Sequence, residues 1–360
     1  MSVIALVHIG SASVSGGLLS DKKLIFATEH ECRFTEKLDS KMFLGDVADA
    51  LKLVMQDLLN AKFGSPSKVI VFLSAPFVAG QLQTLKQENQ NKFKVTESLI
   101  WDLVSRETNK YKTDKQHTVI DSKIMRFYLN GYEIAEPHGQ QAQSLEVAHY
   151  LSISASEVIA KFKNVIKSAC HHEQIEWHSA SFANYLLVRD WRPKDEGFLL
   201  LDIGGELTEL SLVWQGIIRE SFSFPLGGHA ALRQAVASGE SRSSGRSALE
   251  LKHEKSTKIL EKKVDKTEQE WVNNFKTGLE QVLHNKFWSG EIILLTEDPA
   301  WQNLFGTWLE HAELGKIIFN TGKISVIPLT SDLLNKLVKV ESGVKASVNL
   351  LVSSLFVLKI

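Results

Sequence analysis

Cysteine is scarce in this sequence of 360 residues, which contains only Cys32 and Cys170. Two cysteines are too few for a disulfide framework. A basic excess is lacking as well, because 41 Lys and Arg residues stand against 42 Asp and Glu residues. This balance argues against binding to nucleic acid or to an anionic membrane surface.

Long apolar runs and a targeting segment are also absent. The longest apolar run, at residues 346–360, is shorter than the roughly 20 residues that a spanning helix needs. The N-terminal MSVIALVHIG has no Lys or Arg before its apolar residues, so it is predicted to be a first strand and not a signal peptide. We therefore expect a cytoplasmic protein. Its length of 360 residues suits two domains or one bilobed unit.

Several well-known catalytic motifs are missing. The sequence has no Walker A motif, no Gly-x-Ser-x-Gly elbow and no His-Glu-x-x-His helix. His171 and His172 follow Cys170 at a predicted helix end, where cations suit the helix dipole. A zinc site would need further ligands that this stretch does not show.

What the sequence does contain is a weak internal repeat. Residues 3–34 and 197–226 each show an apolar strand ending in hydrophobic-(His/Asp)-Ile-Gly, a polar turn and two more strands. A helical segment and one more apolar strand follow each triple, at 69–76 and 291–298. This pattern predicts an α/β duplication.

Between the two halves lies a different segment, about residues 77–150. TESLIWDLVSRE has helical spacing with Thr96 as N-cap, and a hairpin is predicted at Asn130-Gly131. SLEVAHYLSIS adds a strand, and the helix that follows returns the chain to the first lobe. In the second half, residues 238–270 are densely charged, which predicts a mobile loop running into a solvated helix.

Three stretches resemble the actin-like ATPase superfamily. LLLDIGGELTELSLVWQGIIRESFSFPLGGHAA resembles its second phosphate motif, and VHIGSAS its first. NGYEIAEPHGQQAQSLEV is similar to the 1C subdomain, an SHS2 module, of FtsA- and PilM-like proteins. The resemblance implies a duplicated ribonuclease-H-like (actin/Hsp70-like ATPase) fold with an inserted SHS2-type 1C subdomain.

The resemblance also implies a division of the chain. Lobe I, subdomain 1A, would comprise 1–76 and 151–195, with the 1C insertion at 77–150. Lobe II would comprise 196–228 and 289–360 as subdomain 2A, and 229–288 as subdomain 2B.

The nucleotide cleft of that fold is formed by two opposed hairpins. Their glycines let backbone N–H groups approach the phosphates, and an aspartate at the end of each first strand organises hydrated Mg²⁺. The positions that match are Gly10, Ser11, Ser13, Asp202, Gly204, Gly205, Thr208, Gly227 and Gly228.

This sequence departs from the family pattern at six positions of the cleft, one of which is Leu207 in place of a threonine. His8 stands in place of the first aspartate, and imidazole is a poor ligand for Mg²⁺. Glu206 replaces a glycine, Glu209 replaces an aspartate, and Glu297 and Asp298 stand where the family has glycines. A carboxylate beside a phosphate costs about 1–4 kcal/mol per charge pair. We therefore expect a vestigial cleft with no catalytic residue and no metal, and bound ATP and Mg²⁺ are disfavoured.

The retained residues also have plain structural explanations. Gly204-Gly205 can simply form a turn, Pro225 to Gly228 can cap a strand, and Asp202 can be a turn or N-cap residue. A ribonuclease-H-type nuclease, which shares the core topology, is disfavoured because it needs clustered carboxylates for two metals and the first strand has no acid.

These considerations favour a non-enzymatic or weakly nucleotide-binding adaptor of FtsA type, acting in bacterial cell division at the cytoplasmic membrane. Two alternatives stay open: a PilM-like cytoplasmic component of type IV pilus assembly, and an active ATPase of the same fold. The implied partners are proteins, either FtsZ-like or a pilus-assembly membrane protein, and self-association is possible for such scaffolds. The C-terminal run lacks the basic face of a membrane anchor, so we expect membrane association only through a partner.

Overall fold

The computed structural model describes most of the chain: residues 3–113, 115–170, 174–192, 197–236, 258–284, 288, 290–314 and 324–359. No helix in these ranges is long and apolar enough to cross a membrane. Residues 238–257 of the charged stretch, and His171 and His172, lie outside the described residues.

The strands, numbered in chain order, are β1 (Ile4–Ile9), β2 (Ser13–Ser20), β3 (Lys23–Glu31), β4 (Lys68–Leu73), β5 (Ala79–Lys94), β6 (His117–Leu129), β7 (Tyr132–Ile134), β8 (Gln141–Ala155), β9 (Ile175–Ser179), β10 (Phe198–Ile203), β11 (Thr208–Trp214), β12 (Ile217–Phe224), β13 (Glu291–Thr296), β14 (Ser325–Pro328) and β15 (Lys339–Val340). The helices are α1 (Ser40–Asn60), α2 (Glu97–Thr113), α3 (Ser156–Cys170), α4 (Ala180–Trp191), α5 (Gly228–Val236), α6 (Lys258–Leu283), α7 (Pro299–His311), α8 (Ser331–Leu334) and α9 (Val348–Lys359).

Two of the sheets repeat one topology. The first has the order β15-β3-β2-β1-β4-β9, in which β3, β2 and β1 are antiparallel and β4 and β9 run parallel to β1. The second has the order β12-β11-β10-β13-β14 with the same sequence of antiparallel and parallel pairs. The α/β duplication predicted from the sequence is therefore confirmed.

Side-chain alternation divides each of these sheets between two cores. In β1, Ala5, Val7 and Ile9 face a core shared with α1 and α3, whereas Leu6 faces a central core. In β10, Leu201 packs toward α6 and α7, and Leu200 faces the same central core. Helices α4 and α9 contribute to the central core, so they lie between the two sheets.

The segment between the halves forms a third, antiparallel sheet in the order β5-β8-β6-β7, with α2 packed on it. Asn130 and Gly131 have φ values of 50° and 84°, as a type I′ hairpin turn requires. The hydroxyl of Thr96 accepts a hydrogen bond from Leu99 N–H at 3.2 Å, so both local predictions are confirmed. Strand β8 continues to Ala155, beyond residue 150, and leads directly into α3.

Strand β5 was not predicted from the sequence. Its residues, AGQLQTLKQENQNKFK, are mostly polar and include Gln, Asn and Lys, which have low strand propensity. It forms because it pairs along β8, and this tertiary pairing outweighs local preference.

The last elements of the chain return to the first lobe. Strand β15 pairs parallel with β3, and α9 packs against α4, β1 and β2. Residues 289–360 were expected to belong to lobe II, and these contacts with the first sheet were not predicted.

Because α9 lies between the two sheets, shortening its buried side chains should weaken both lobes at once. Leu351 is fully buried, and we expect Leu351→Ala to lower the free energy of unfolding by about 2–5 kcal/mol. The matched control is Leu53→Ala in α1, where the side chain is 47% exposed and the change should stay within about 0.5 kcal/mol. Urea unfolding of both variants measures this, and equal losses would contradict the central position of α9.

Candidate functional site

The first candidate turn joins β1 to β2 and contains Gly10, Ser11 and Ser13. Gly10 N–H donates to the Ser13 carbonyl at 3.0 Å, which closes the turn. The Ser13 hydroxyl donates to Glu29 Oε1 at 2.7 Å. The N–H groups of Ser11 and of the next residue, Ala12, are therefore the donors that the turn offers to the other lobe.

The second candidate turn joins β10 to β11, and Gly204 N–H donates to the Leu207 carbonyl at 2.9 Å. The Gly227-Gly228 pair packs directly on it, since Gly228 N–H donates to the Gly204 carbonyl at 2.9 Å. A Cβ atom on Gly227 would lie 2.2 Å from that same carbonyl oxygen. Gly227 is therefore required for close approach of two backbone segments.

The two turns bind each other across the lobes. The Ser11 hydroxyl accepts hydrogen bonds from Gly205 N–H at 2.7 Å and from Glu206 N–H at 3.1 Å. Ser11 belongs to the first lobe and the two donors to the second. The backbone donors of the second turn are thus occupied by a side chain of the first.

The donors of the first turn are occupied in return by Glu297, which follows β13 in the second lobe. Its carboxylate accepts from Ser11 N–H at 3.0 Å and from Ala12 N–H at 2.5 Å. The Ser11 hydroxyl also donates to Glu297 Oε1 at 3.3 Å. We call this set of contacts, made by Ser11, Ala12, Gly205, Glu206 and Glu297, the clasp.

The glycines make room for the clasp. A Cβ atom on Gly10 would lie 2.6 Å from Glu297 Cδ, and one on Gly205 would lie 2.9 Å from Ala12 N. Glu297 itself is only 6% exposed. Consecutive backbone N–H groups that converge on one carboxylate form an anion-binding nest, and here the anion is part of the chain.

Acids lie close together beside the clasp, and the pKa values of three of them are raised: Glu297 is buried, and Asp202 and Glu209 are half-buried. Burial raises the pKa of Glu297 to about 7, against the opposing effect of the Ala12 and Ser11 hydrogen bonds. Burial, with the negative charges of Glu209 and Glu297, raises the pKa of Asp202 to about 8. Each negative charge makes it harder to ionise the next one in this low-dielectric region.

Helix α4 provides hydrogen-bond donors to two of these acids. Asn184 Nδ2 donates to Asp202 Oδ2 at 2.9 Å, and the Ser181 hydroxyl donates to Glu209 Oε2 at 3.1 Å. Burial also raises the pKa of Glu209. Asp202 thus lies at the end of β10 and binds α4, and it caps no helix.

The remaining candidates have structural partners. Glu206 forms a buried ion pair with Arg233 of α5. The Thr208 hydroxyl donates to the Leu226 carbonyl at 2.8 Å and accepts from Trp271 Nε1 at 3.2 Å. These contacts give the retained threonine a structural role.

The His8 side chain lies on the same face of β1 as Leu6, and this face is directed at the central core. Its Nε2 atom lies 3.0 Å from the Ser74 hydroxyl, and its buried Nδ1 atom has no hydrogen-bond partner among the described residues. Burial lowers the pKa of His8 to about 3, so the imidazole is neutral at physiological pH. Within the described part of the chain, no group of three or more His, Cys, Asp or Glu residues is arranged to hold a metal ion.

Glu297 was predicted from the sequence to be unfavourable for nucleotide in the cleft, but its binding to the first turn was not predicted. The signal available was its place directly after the apolar strand β13, which corresponds to the place of Asp202 at the end of β10. Asp298, the neighbouring departure, has a separate role, because its carboxylate accepts from Ala300 N–H at 2.9 Å as N-cap of α7. Ser181, Asn184 and Arg233 were missed, because they lie in helices without any motif.

No family model and no curated protein matches the sequence. Solved structures do match. A chain of a PilM–PilN type IV pilus biogenesis complex superposes with a TM-score of 0.66 at 14% identity, covering 94% of this chain and 90% of that one.

Two further structures superpose less well. A protein of unknown function with an actin-like ATPase fold from Bacteroides thetaiotaomicron gives a TM-score of 0.43 at 9% identity, covering 91% of each chain. The ethanolamine utilization protein EutJ from Carboxydothermus hydrogenoformans gives 0.49 at 10% identity, covering 99% of this chain and 90% of that one. The chain has the actin-like ATPase fold.

Proposed function

We propose that this chain is a scaffold that acts through protein contacts in type IV pilus assembly, in the manner of PilM, and does not hydrolyse nucleotide. The observation that carries this proposal is the clasp. The N–H groups of Ser11, Ala12, Gly205 and Glu206, which would have to receive phosphate oxygens, already bind Glu297 and the Ser11 hydroxyl. A nucleotide would have to displace a buried carboxylate before it could bind.

The acids beside the clasp support the same proposal. Asp202, which the resemblance would assign to hydrated Mg²⁺, is bound by Asn184 and has a pKa raised to about 8. A protonated carboxyl is a poor ligand for a hard cation. On the first lobe, the matching position is the neutral His8.

The structural comparison favours pilus assembly over the FtsA-type role in cell division that the sequence analysis put first. The protein that superposes at a TM-score of 0.66 comes from a PilM–PilN complex, and its likeness extends over nearly the whole of both chains. By that analogy the partner is a pilus-assembly membrane protein, and the chain would lie at the inner face of the membrane through that partner. We further propose that the inserted sheet with α2 is the SHS2-type 1C subdomain, with the lobe divisions given above.

The partner class can be tested directly. An affinity-tagged copy of this protein should retain the PilN-type protein encoded in the same genome when both are co-expressed. The FtsZ-type protein of that genome is the matched control and should not be retained. Retention of the FtsZ-type protein alone would restore the cell-division role.

The occupied clasp predicts that nucleotide does not bind. Isothermal titration of the wild-type protein with Mg-ATP should give no binding tighter than a Kd of about 1 mM. Glu297→Ala frees the N–H groups of Ser11 and Ala12, so this variant should gain measurable affinity for pyrophosphate. Glu297→Gln keeps a side-chain oxygen for these donors and serves as the control, which should not gain it. Micromolar binding of Mg-ATP by the wild type, abolished in Asp202→Ala, would instead support an active ATPase.

The raised pKa of Asp202 predicts a specific pH dependence. Between its ordinary value near 3.8 and about 8, the folded protein holds a proton on Asp202 that the unfolded chain has released. The free energy of unfolding should therefore fall as the pH rises through this window. Asp202→Asn, which cannot ionise and still offers an oxygen to Asn184, should show a smaller slope in urea unfolding. An unchanged slope would show that Asp202 is ionised in the fold.

A further inference from the structure

The inserted sheet is attached firmly to the first lobe. The buried carboxylate of Asp121 in β6 accepts from Ser179 N–H at 2.7 Å, and its other oxygen lies 3.0 Å from His178 Nδ1. Both partners belong to the C-terminal end of β9 in the first sheet. The Ser152 hydroxyl of β8 donates to the same carboxylate at 3.0 Å, which joins two strands of the insertion to this point.

The inserted sheet also contacts the second lobe. The Arg126 guanidinium of β6 donates to the carbonyl of Gln215 in the β11–β12 turn. Glu133 of β7 orients this arginine through an ion pair of 2.8 Å. Strand β5 lies against β12, and Leu82 and Met125 pack on the central core, to which Ile218 of β12 also belongs. The insertion therefore spans the two lobes.

The turn that Arg126 contacts is constrained on both of its central residues. Gln215 and Gly216 have φ values of 52° and 70°, the left-handed values of a type I′ turn. While Arg126 binds the Gln215 carbonyl, the Tyr185 hydroxyl of α4 donates to the Gly216 carbonyl at 2.8 Å. The turn is thus held by the insertion on one carbonyl and by α4 on the next.

Strand β11 connects this turn to the clasp. It begins directly after the second candidate turn, which donates from Gly205 and Glu206, and it ends at Trp214, directly before Gln215. Its seven residues, at about 3.3 Å each, span about 23 Å. The strand is paired on both sides, with β10 and β12, so it moves as part of a stiff sheet.

We propose that the inserted sheet is a strap that holds the two lobes closed, and that Arg126 controls the clasp through β11. The strap binds the turn that follows β11, and the clasp binds the turn that precedes it. A protein partner that draws the inserted sheet away from the Gln215–Gly216 turn would therefore release the clasp and open the cleft. This proposal depends on the contacts described here and not on the assignment to pilus assembly.

Hydrogen exchange at the clasp tests the strap. Arg126→Ala should raise the amide exchange rates of Ser11, Ala12, Gly205 and Glu206 by about tenfold or more, because a lost charged hydrogen bond at one end of β11 favours opening at the other. The control is Lys123→Ala, an exposed position on the same strand, which should leave these rates unchanged. If the four amides exchange at the same rates in Arg126→Ala as in Lys123→Ala, the proposal is overturned.

A double-mutant cycle gives a second, independent readout. Substitutions separated by more than about 10 Å normally change the free energy of unfolding additively. If the strap and the clasp act as one unit, the double variant Arg126→Ala/Glu297→Ala should lose clearly less free energy of unfolding than the sum of the losses in the two single variants. Additive losses would contradict the coupling. If Arg126→Ala does not fold, Arg126→Lys replaces it in both experiments. This variant keeps the charge but loses the guanidinium group, so we expect a smaller effect of the same sign.

Discussion

A buried carboxylate cannot remain without donors, and Glu297 finds them in the opposite lobe. An ionised carboxylate has only acceptor atoms and is expensive to remove from water. The N–H groups of Ser11 and Ala12 meet this need, and they in turn would be unsatisfied without it. The arrangement requires the lobes to be closed, the turns to contain glycine where Glu297 and Ala12 approach, and the end of β13 to reach the end of β1.

The same constraint gives the glycine-rich turns of this cleft a structural role that needs no nucleotide. In an ATPase, converging backbone donors are satisfied by phosphate. Here the chain supplies its own anion and its own hydroxyl, so the fold keeps its glycine-rich turns for a structural reason. The raised pKa values of Asp202 and Glu209 follow from enclosing several acids in one interface.

The inserted sheet contacts both lobes of the molecule. Its Asp121 is fixed to the first lobe, and its Arg126 reaches a constrained turn of the second. A scaffold of the kind proposed above, with no hydrolysis step to drive it, needs another means of changing shape. Contact between a partner and the insertion would provide one.

Much of the fold follows from the sequence alone. The repeated pattern of strands, the helix that begins after Thr96 and the hairpin at Asn130-Gly131 depend on local periodicity and turn chemistry, which a sequence records directly. Strand β5 was missed because its polar residues prefer no strand, and only pairing with β8 makes it one. The sequence also showed that Glu297 stands in an unsuitable place for a nucleotide. It could not show that this carboxylate binds Ser11, which lies 286 residues earlier in the chain. That contact, like the one from Arg126 to the Gln215 carbonyl, exists only because two separate sheets are brought together, and no local pattern encodes the distance between them.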